Sequence, residues 1–235
     1  MSQQPWDAQE LPTGEAKVKA VREMFDAVAP RYDRVNRIMT MRVDVRWRRR
    51  ALRELALPTG SRVLDLAAGT GDLCIELRRG GLRPIAMDMS FGMLSADRSG
   101  VPRVQADVLR LPVPDGCADG VTCGFALRNF VDLGAFFDEL GRVVRPGGRI
   151  ALLDANEPDN RLMKAWHRIH FGKLVPLIGR VFGSDAGAYR YLSRSLSYLP
   201  PAPEMLRRLE QAGFTATRRD LLTMQAAQLI TATRA

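Results

Sequence analysis

The chain has 235 residues, 46% of them hydrophobic, which suffices for one sizeable core and little beyond one domain. No apolar run reaches bilayer-spanning length and residues 1–10 lack signal-peptide character, so a cytoplasmic protein is expected; Cys74, Cys117 and Cys123, without CxxC spacing, argue against a disulfide framework or a structural zinc site. The net charge of +9 comes mostly from Arg and is compatible with nucleic acid, with an anionic membrane surface, or with an Arg-rich composition alone.

Residues 1–14 are polar, contain Pro5 and Pro12, and read as a loose arm. Over 15–29, Val18, Val21, Phe25 and Val28 recur at helical spacing, and Pro30 ends that helix. A second helix over 43–55 stops before Pro58-Thr59-Gly60, within a crowd of cations: Arg42, Arg46, Arg48, Arg49, Arg50 and Arg53. The pattern then becomes strand-like. Strands are predicted over 62–67, 83–88, 103–106, 120–124 and 149–154, with helices from Asp72, after a Ser90 cap, and over 133–144. This alternation implies right-handed crossovers and a parallel sheet covered on both faces. After Asp154 a basic helical insertion is expected, since 161–182 carries Arg161, Lys164, Arg168, Lys173 and Arg180 and no acid. A helix over 203–212 and strands over 214–219 and 228–232 complete the chain.

The strongest local signal is Val63-Leu64-Asp65-Leu66-Ala67-Ala68-Gly69-Thr70-Gly71-Asp72. A strand ends in an acid, the backbone turns on two glycines that permit close approach of a ligand, and a helix begins at once. The G-x-G-x-x-G pattern of dinucleotide folds fails here, because Cys74 holds the third glycine position. Asp72 also places a carboxylate where a pyrophosphate would want a bare helix N-terminus. S-adenosylmethionine carries no phosphate, and an acidic loop suits its ammonium and sulfonium charges. Asp88, at the end of the second strand, is placed to accept from ribose hydroxyls, and Asp107, after the third, from an adenine amino group.

With these residues in view, the sequence resembles the ubiquinone/menaquinone biosynthesis C-methyltransferases over nearly all of its length. The resemblance rests on Phe25-Asp26-Ala27-Val28-Ala29-Pro30-Arg31-Tyr32-Asp33-Arg34-Val35-Asn36, on Trp47 at its spacing from Tyr32, and on the glycine loop. It also rests on Phe125-Ala126-Leu127-Arg128-Asn129, Arg142-Val143-Val144-Arg145-Pro146-Gly147-Gly148 and Tyr189-Arg190-Tyr191-Leu192 with Ser195. Val35, Thr40, Asp44, Gly124, Asp154 and Asn156 depart from the usual family pattern. The resemblance implies an α/β, Rossmann-like class I methyltransferase: a seven-stranded, mostly parallel sheet with helices on both faces and an antiparallel last strand. A helical N-terminal arm (1–57), a cofactor-binding core (58–154), a helical lid insertion (155–202) and a C-terminal sheet portion (203–235) form a single domain.

The expected cofactor is S-adenosylmethionine, and the candidate cofactor-binding residues are Tyr32, Asp65, Gly69, Thr70, Gly71, Asp88, Met89, Asp107, Val108 and Gly124. The implied reaction is methylation of ring carbon on a prenylated quinol, demethylmenaquinol first among them. Arg128 is the candidate for stabilising the phenolate and Asp154 for accepting its proton, with His167 and His170 as alternative bases. No metal is expected, since two histidines three apart without a carboxylate or thiol partner are a poor ligand set. The cationic, apolar segment 162–182 reads as a lid that also lines a prenyl channel or rests on anionic lipid. The expected partner is thus a lipid quinol, with peripheral contact to an anionic membrane and a homodimer both left open. Nucleic acid is disfavoured by the lack of a base-pocket motif and of aromatics among the arginines. A small-molecule methyltransferase of specialised metabolism is the competing enzyme reading, and a catalytically dead binding module the non-enzymatic one.

Overall fold

The computed structural model describes residues 13–40, 42–158, 191 and 195–235. The expected basic insertion, including His167 and His170, lies for the most part outside the described residues.

Helix α1 (Gly14–Val28) buries Lys17, Ala20, Val21 and Met24, a stripe at helical spacing. Pro30 closes it in a single 3-10 turn, Ala29–Arg31, and α2 (Tyr32–Met39) follows directly. Helix α2 was not visible as a periodic pattern, because its sequence is dominated by Arg, Asp and Asn. Helix α3 (Val43–Leu55) begins after Arg42, whose φ of 62° marks a sharp left-handed turn.

The sheet comprises β1 (Arg62–Leu66), β2 (Arg83–Asp88), β3 (Arg103–Gln105), β4 (Ala118–Gly124), β5 (Val144–Ala155), β6 (Phe214–Leu222) and β7 (Ala227–Arg234). Between the strands lie α4 (Asp72–Arg79), α5 (Phe91–Ser95), α6 (Leu133–Val143) and α7 (Ala202–Gln211). The strand order is β3-β2-β1-β4-β5-β7-β6, parallel except for β7, which runs antiparallel to both neighbours. Strand β5 starts five residues earlier than the apolar run suggests, because Val144 already pairs with Ala118 across an irregularity. Strand β6 extends past 219 through Asp220, Leu221 and Leu222, which pair with Leu229, Gln228 and Ala227 of β7.

Alternation along the strands builds a core on each face of the sheet. Leu64, Leu66, Val121, Cys123, Ile150 and Leu152 pack with Phe136, Phe137 and Leu140 of α6 and Leu209 of α7. Val63, Ala151, Leu153 and Leu229 face the other way, against Ala51 and Leu55 of α3 and Leu73 and Leu77 of α4. The same alternation puts Asp65 on the α4 face, beside its register partner Thr122.

Candidate active site

Strand order reverses between β1 and β4, and at such a switch point the strand C-termini leave a crevice. A cleft of about 1170 Å³, its open mouth included, lies there. Tyr32, Asp65, Gly69, Thr70, Asp88, Met89, Asp107, Val108 and Gly124 all line it, whereas Gly71, Arg128 and Asp154 do not. The arm supplies lining the sequence did not single out for this purpose: Val18, Val21, Arg22 and Phe25 from α1, and Arg48 from α3.

The glycine loop works through two different glycines. Gly69 has φ 57° and faces open space, since an added Cβ would meet nothing within 4 Å. Gly71, at φ 81°, is the N-cap of α4; a Cβ there would overlap Asp97 and lie 2.9 Å from Ser99 Cβ. It shapes the loop without facing the cleft.

Asp65 is buried, accepting from Thr122 Oγ1 at 2.7 Å and from Cys74 Sγ at 3.1 Å. Burial pushes its carboxyl up to about 6, against those hydrogen bonds and the Arg48 charge. Asp88 is clamped by backbone: Gly69 N–H donates to Oδ2 at 2.9 Å and Ser90 N–H to Oδ1 at 2.8 Å. Each oxygen retains further acceptor capacity for hydroxyls in the cleft. Burial raises the Asp88 carboxyl above the usual range, and the backbone donors oppose that rise. Asp107 is exposed and holds its own turn, accepting from Leu109 N–H at 2.9 Å.

The arm is clasped to this loop by side chains far apart in sequence. Asp26 accepts from Ser90 Oγ at 2.5 Å and from Gly92 N–H at 2.9 Å. Gly92 is required for that approach, because a Cβ would sit 3.0 Å from Asp26 Cα. Thr70 Oγ1 donates to Asp33, which also pairs with Arg98, and Arg37 reaches Asp72 at 3.1 Å. Tyr32 stands edge-on to Phe25, centroids 6.0 Å apart. Lys17, buried under α1, donates to Phe130 O at 2.8 Å and lies 3.7 Å from the Tyr198 ring centroid. Burial pulls its amine down to about 8.

The two residues expected to act on an acceptor meet each other instead. Arg128 Nη1 donates to Asp154 Oδ1, Arg128 N–H to Oδ2 at 3.2 Å, and Nε–H to Ser195 Oγ at 3.2 Å. Asp154 is fully buried and also takes Ala155 N–H at 2.7 Å; burial raises its carboxyl while Arg128 opposes the rise. The pair sits behind the turn that presents Phe125, Asn129 and Phe130 to the cleft. Among the described residues, the cation that lines the cleft from a buried position is Arg48, 7% exposed. Its signal was in the sequence: Asp44, Arg48, Ala51 and Leu55 fall at i, i+4, i+7 and i+11, a charged pair on an apolar stripe. Among the described residues no three His, Cys, Asp or Glu side chains converge as a metal site, and no helix is long and apolar enough to cross a membrane.

The profile of the ubiE/COQ5 methyltransferase family matches residues 13–234. The chain belongs to this family. It is an S-adenosylmethionine-dependent methyltransferase, and its seven-stranded sheet is the fold of that class. Among curated relatives, a demethylmenaquinone methyltransferase of Mycobacterium sp. strain KMS is 42% identical over 199 residues, covering 84% of this chain and 86% of the relative. One of Thermus thermophilus is 40% identical over 216 residues, covering 88% and 97%. Among solved structures, a SAM-dependent methyltransferase of Thermotoga maritima aligns with TM-score 0.64 at 15% identity, over 91% of this chain and 99% of that one.

Proposed function

We propose that this enzyme methylates a ring carbon of demethylmenaquinol, the reduced naphthoquinone with a prenyl tail. The reading is carried by the two-sided character of the cleft: Asp65 lies in β1, Asp88 ends β2 and Asp107 follows β3, while Val18, Val21, Phe25, Phe125, Phe130 and Val131 supply apolar walls. It is supported by the name that relatives about 40% identical over most of the chain carry.

The residues fit the cofactor. Gly69 and Gly124 leave room, since Cβ atoms there meet nothing or only Leu73 at 3.8 Å. With the cofactor bound, Asp88 would accept from the ribose hydroxyls, Asp107 and Val108 would lie toward the base, and Asp65 toward the ammonium end. Bound in this way, S-adenosylmethionine supplies an electrophilic methyl on its sulfonium. An aromatic carbon accepts it only once a neighbouring hydroxyl ionises and donates charge into the ring. The protein's task is therefore to hold the ring in line, exclude water and favour the phenolate. With the cofactor bound, its sulfonium would supply the methyl and leave as the neutral thioether of S-adenosylhomocysteine, and the proton that the methyl displaces from the ring carbon would pass to water.

In this reading Arg128 and Asp154 act indirectly, by fixing the turn that carries Phe125, Asn129 and Phe130. A lipid acceptor also implies contact with the membrane surface, expected as salt-sensitive association with anionic vesicles. The deciding experiment is anaerobic incubation with labelled S-adenosylmethionine and demethylmenaquinol, ubiquinol precursors or simple phenols, followed by mass analysis. Transfer to demethylmenaquinol at or above the others supports the proposal. Transfer only to an unrelated small molecule overturns it and favours the specialised-metabolism alternative.

A further inference from the structure

The described cleft lining carries four carboxylates, Asp65, Asp72, Asp88 and Asp107, against two guanidiniums, Arg22 and Arg48. Arg22 is exposed, so water screens it; Arg48 is buried in the wall. Any anionic oxygen entering such a cleft is repelled unless a fixed cation meets it. We infer that Arg48 is the anion receptor of the cleft, contacting an oxyanion at the methyl-transfer end.

Three observations fix the geometry. Asp44, fully buried, pairs with Arg48 Nη1, and Thr40 Oγ1 donates to the other Asp44 oxygen at 2.6 Å, so the guanidinium is anchored from behind. Arg48 Nη2 stands 3.5 Å from Asp72 Oδ2, an ion pair longer than a normal hydrogen bond, and Asp72 is shared with Arg37 and Arg98. Lastly, the Arg48 guanidinium lies 5.7 Å from the centroid of Phe125, which itself packs on Trp47 at 6.1 Å. Phe125 has φ 62°, an outlier for a bulky side chain, and its N–H is tied to Leu153 O at 2.6 Å. Such strain at a cleft wall is characteristic of a residue whose placement matters to a ligand. It follows Gly124 at the end of β4, and the Arg48 charge on which it packs also acts on Asp65. Planar, always charged and anchored on one edge, Arg48 presents a preorganised donor to an oxygen.

Two anions have this chemistry: the cofactor's α-carboxylate and, on the reading of the acceptor given above, the quinol phenolate. They separate experimentally. Since Arg48→Met strands the buried Asp44 carboxylate, it is paired with Asp44→Asn in a double variant, and Arg48→Lys keeps the charge without the planar fork. Calorimetry with S-adenosylhomocysteine and with 5′-methylthioadenosine, which lacks the amino-acid moiety, is compared with kcat and its pH profile. A carboxylate partner predicts a loss of about tenfold to a hundredfold in S-adenosylhomocysteine affinity with methylthioadenosine binding unchanged. A phenolate partner predicts unchanged affinity for both, a similar fall in kcat, and an acid limb of the kcat profile displaced to higher pH, with partial rescue by Lys. Folded variants whose affinities and kcat profile all stay within about twofold of the parent would overturn the inference. If the parent binds S-adenosylhomocysteine yet methylates no reduced quinone, the proposed acceptor fails, and the calorimetric comparison still decides whether Arg48 holds the cofactor carboxylate.

Discussion

At the scale of single residues, the cleft separates groups that meet a ligand from groups that shape the backbone. Asp88 belongs to the first kind: Asp88→Ala removes a charge-assisted acceptor pair, expected to weaken S-adenosylhomocysteine binding by about 1.5–3 kcal/mol in calorimetry. Gly71 belongs to the second. Gly71→Ala forces a Cβ into Asp97 and Ser99 at a left-handed φ, so a loss of about 1–3 kcal/mol of unfolding free energy is expected in denaturant titration, whereas Gly124→Ala should be nearly silent in the same titration. The pH dependence follows from Asp65. Its folded carboxyl titrates near 6, above its ordinary 3.8, so the native chain binds more protons than the unfolded chain between those values. Its contribution to stability is therefore fully present below pH 4 and falls as pH rises to about 6. Cofactor affinity should run the opposite way, because the ligand's ammonium group favours the ionised form. Affinity for S-adenosylhomocysteine measured from pH 5 to 7.5 should rise through about 6, and Asp65→Asn should flatten that rise. A rise of the same size in Asp65→Asn would assign the effect to Asp88, whose carboxyl burial also raises.

At the scale of elements, the arm is held both by the buried apolar stripes of α1 and α3 and by a few polar clasps onto the loop and α5. Asp26 joins Ser90 across 64 positions and Thr70 joins Asp33 across 37, while Lys17 joins Phe130 O across 113. Asp26→Ala should leave the sheet intact but speed cofactor release, visible as a faster S-adenosylhomocysteine off-rate and faster hydrogen exchange over 14–40. Equal exchange in parent and variant would mean that the clasp carries no stability. This arrangement also explains what was legible beforehand. Helices α1 and α3 and the strands followed from periodicity, and the acids Asp65, Asp88 and Asp107 followed from standing at or near the C-terminal ends of successive strands. Contacts between the arm and the loop join residues dozens of positions apart, which no local pattern encodes. Arg128 shows the same limit in reverse: adjacency to β4 gave its place along the chain but not its rotation toward Asp154 and Ser195.

At the scale of the whole molecule, two cores clasp one sheet, and the cleft opens where the arm meets it. A ligand that touches both arm and sheet binds only the assembled protein, so binding energy becomes folding energy. S-adenosylhomocysteine at a hundred times its dissociation constant should stabilise the chain by about 2.7 kcal/mol, raising Tm by about 5–10 °C for a domain of this size. The Asp26→Ala variant makes the coupling measurable. If the clasp contributes to the site, its affinity falls, and at a tenfold weaker dissociation constant the same ligand concentration gives about 1.4 kcal/mol, half the shift. Lys17 supplies an independent check, since its amine is depressed to about 8 from an ordinary 10.5. The unfolded chain then binds the extra proton between those values, so the docked arm gains stability as pH rises from 8 to 10.5. Thermal unfolding of Lys17→Met against the parent should show that gain disappear. A ligand-induced rise in Tm that is full in Asp26→Ala, with a parent pH profile flat above 8, would mean that the sheet alone forms the site and that the arm is only its cover.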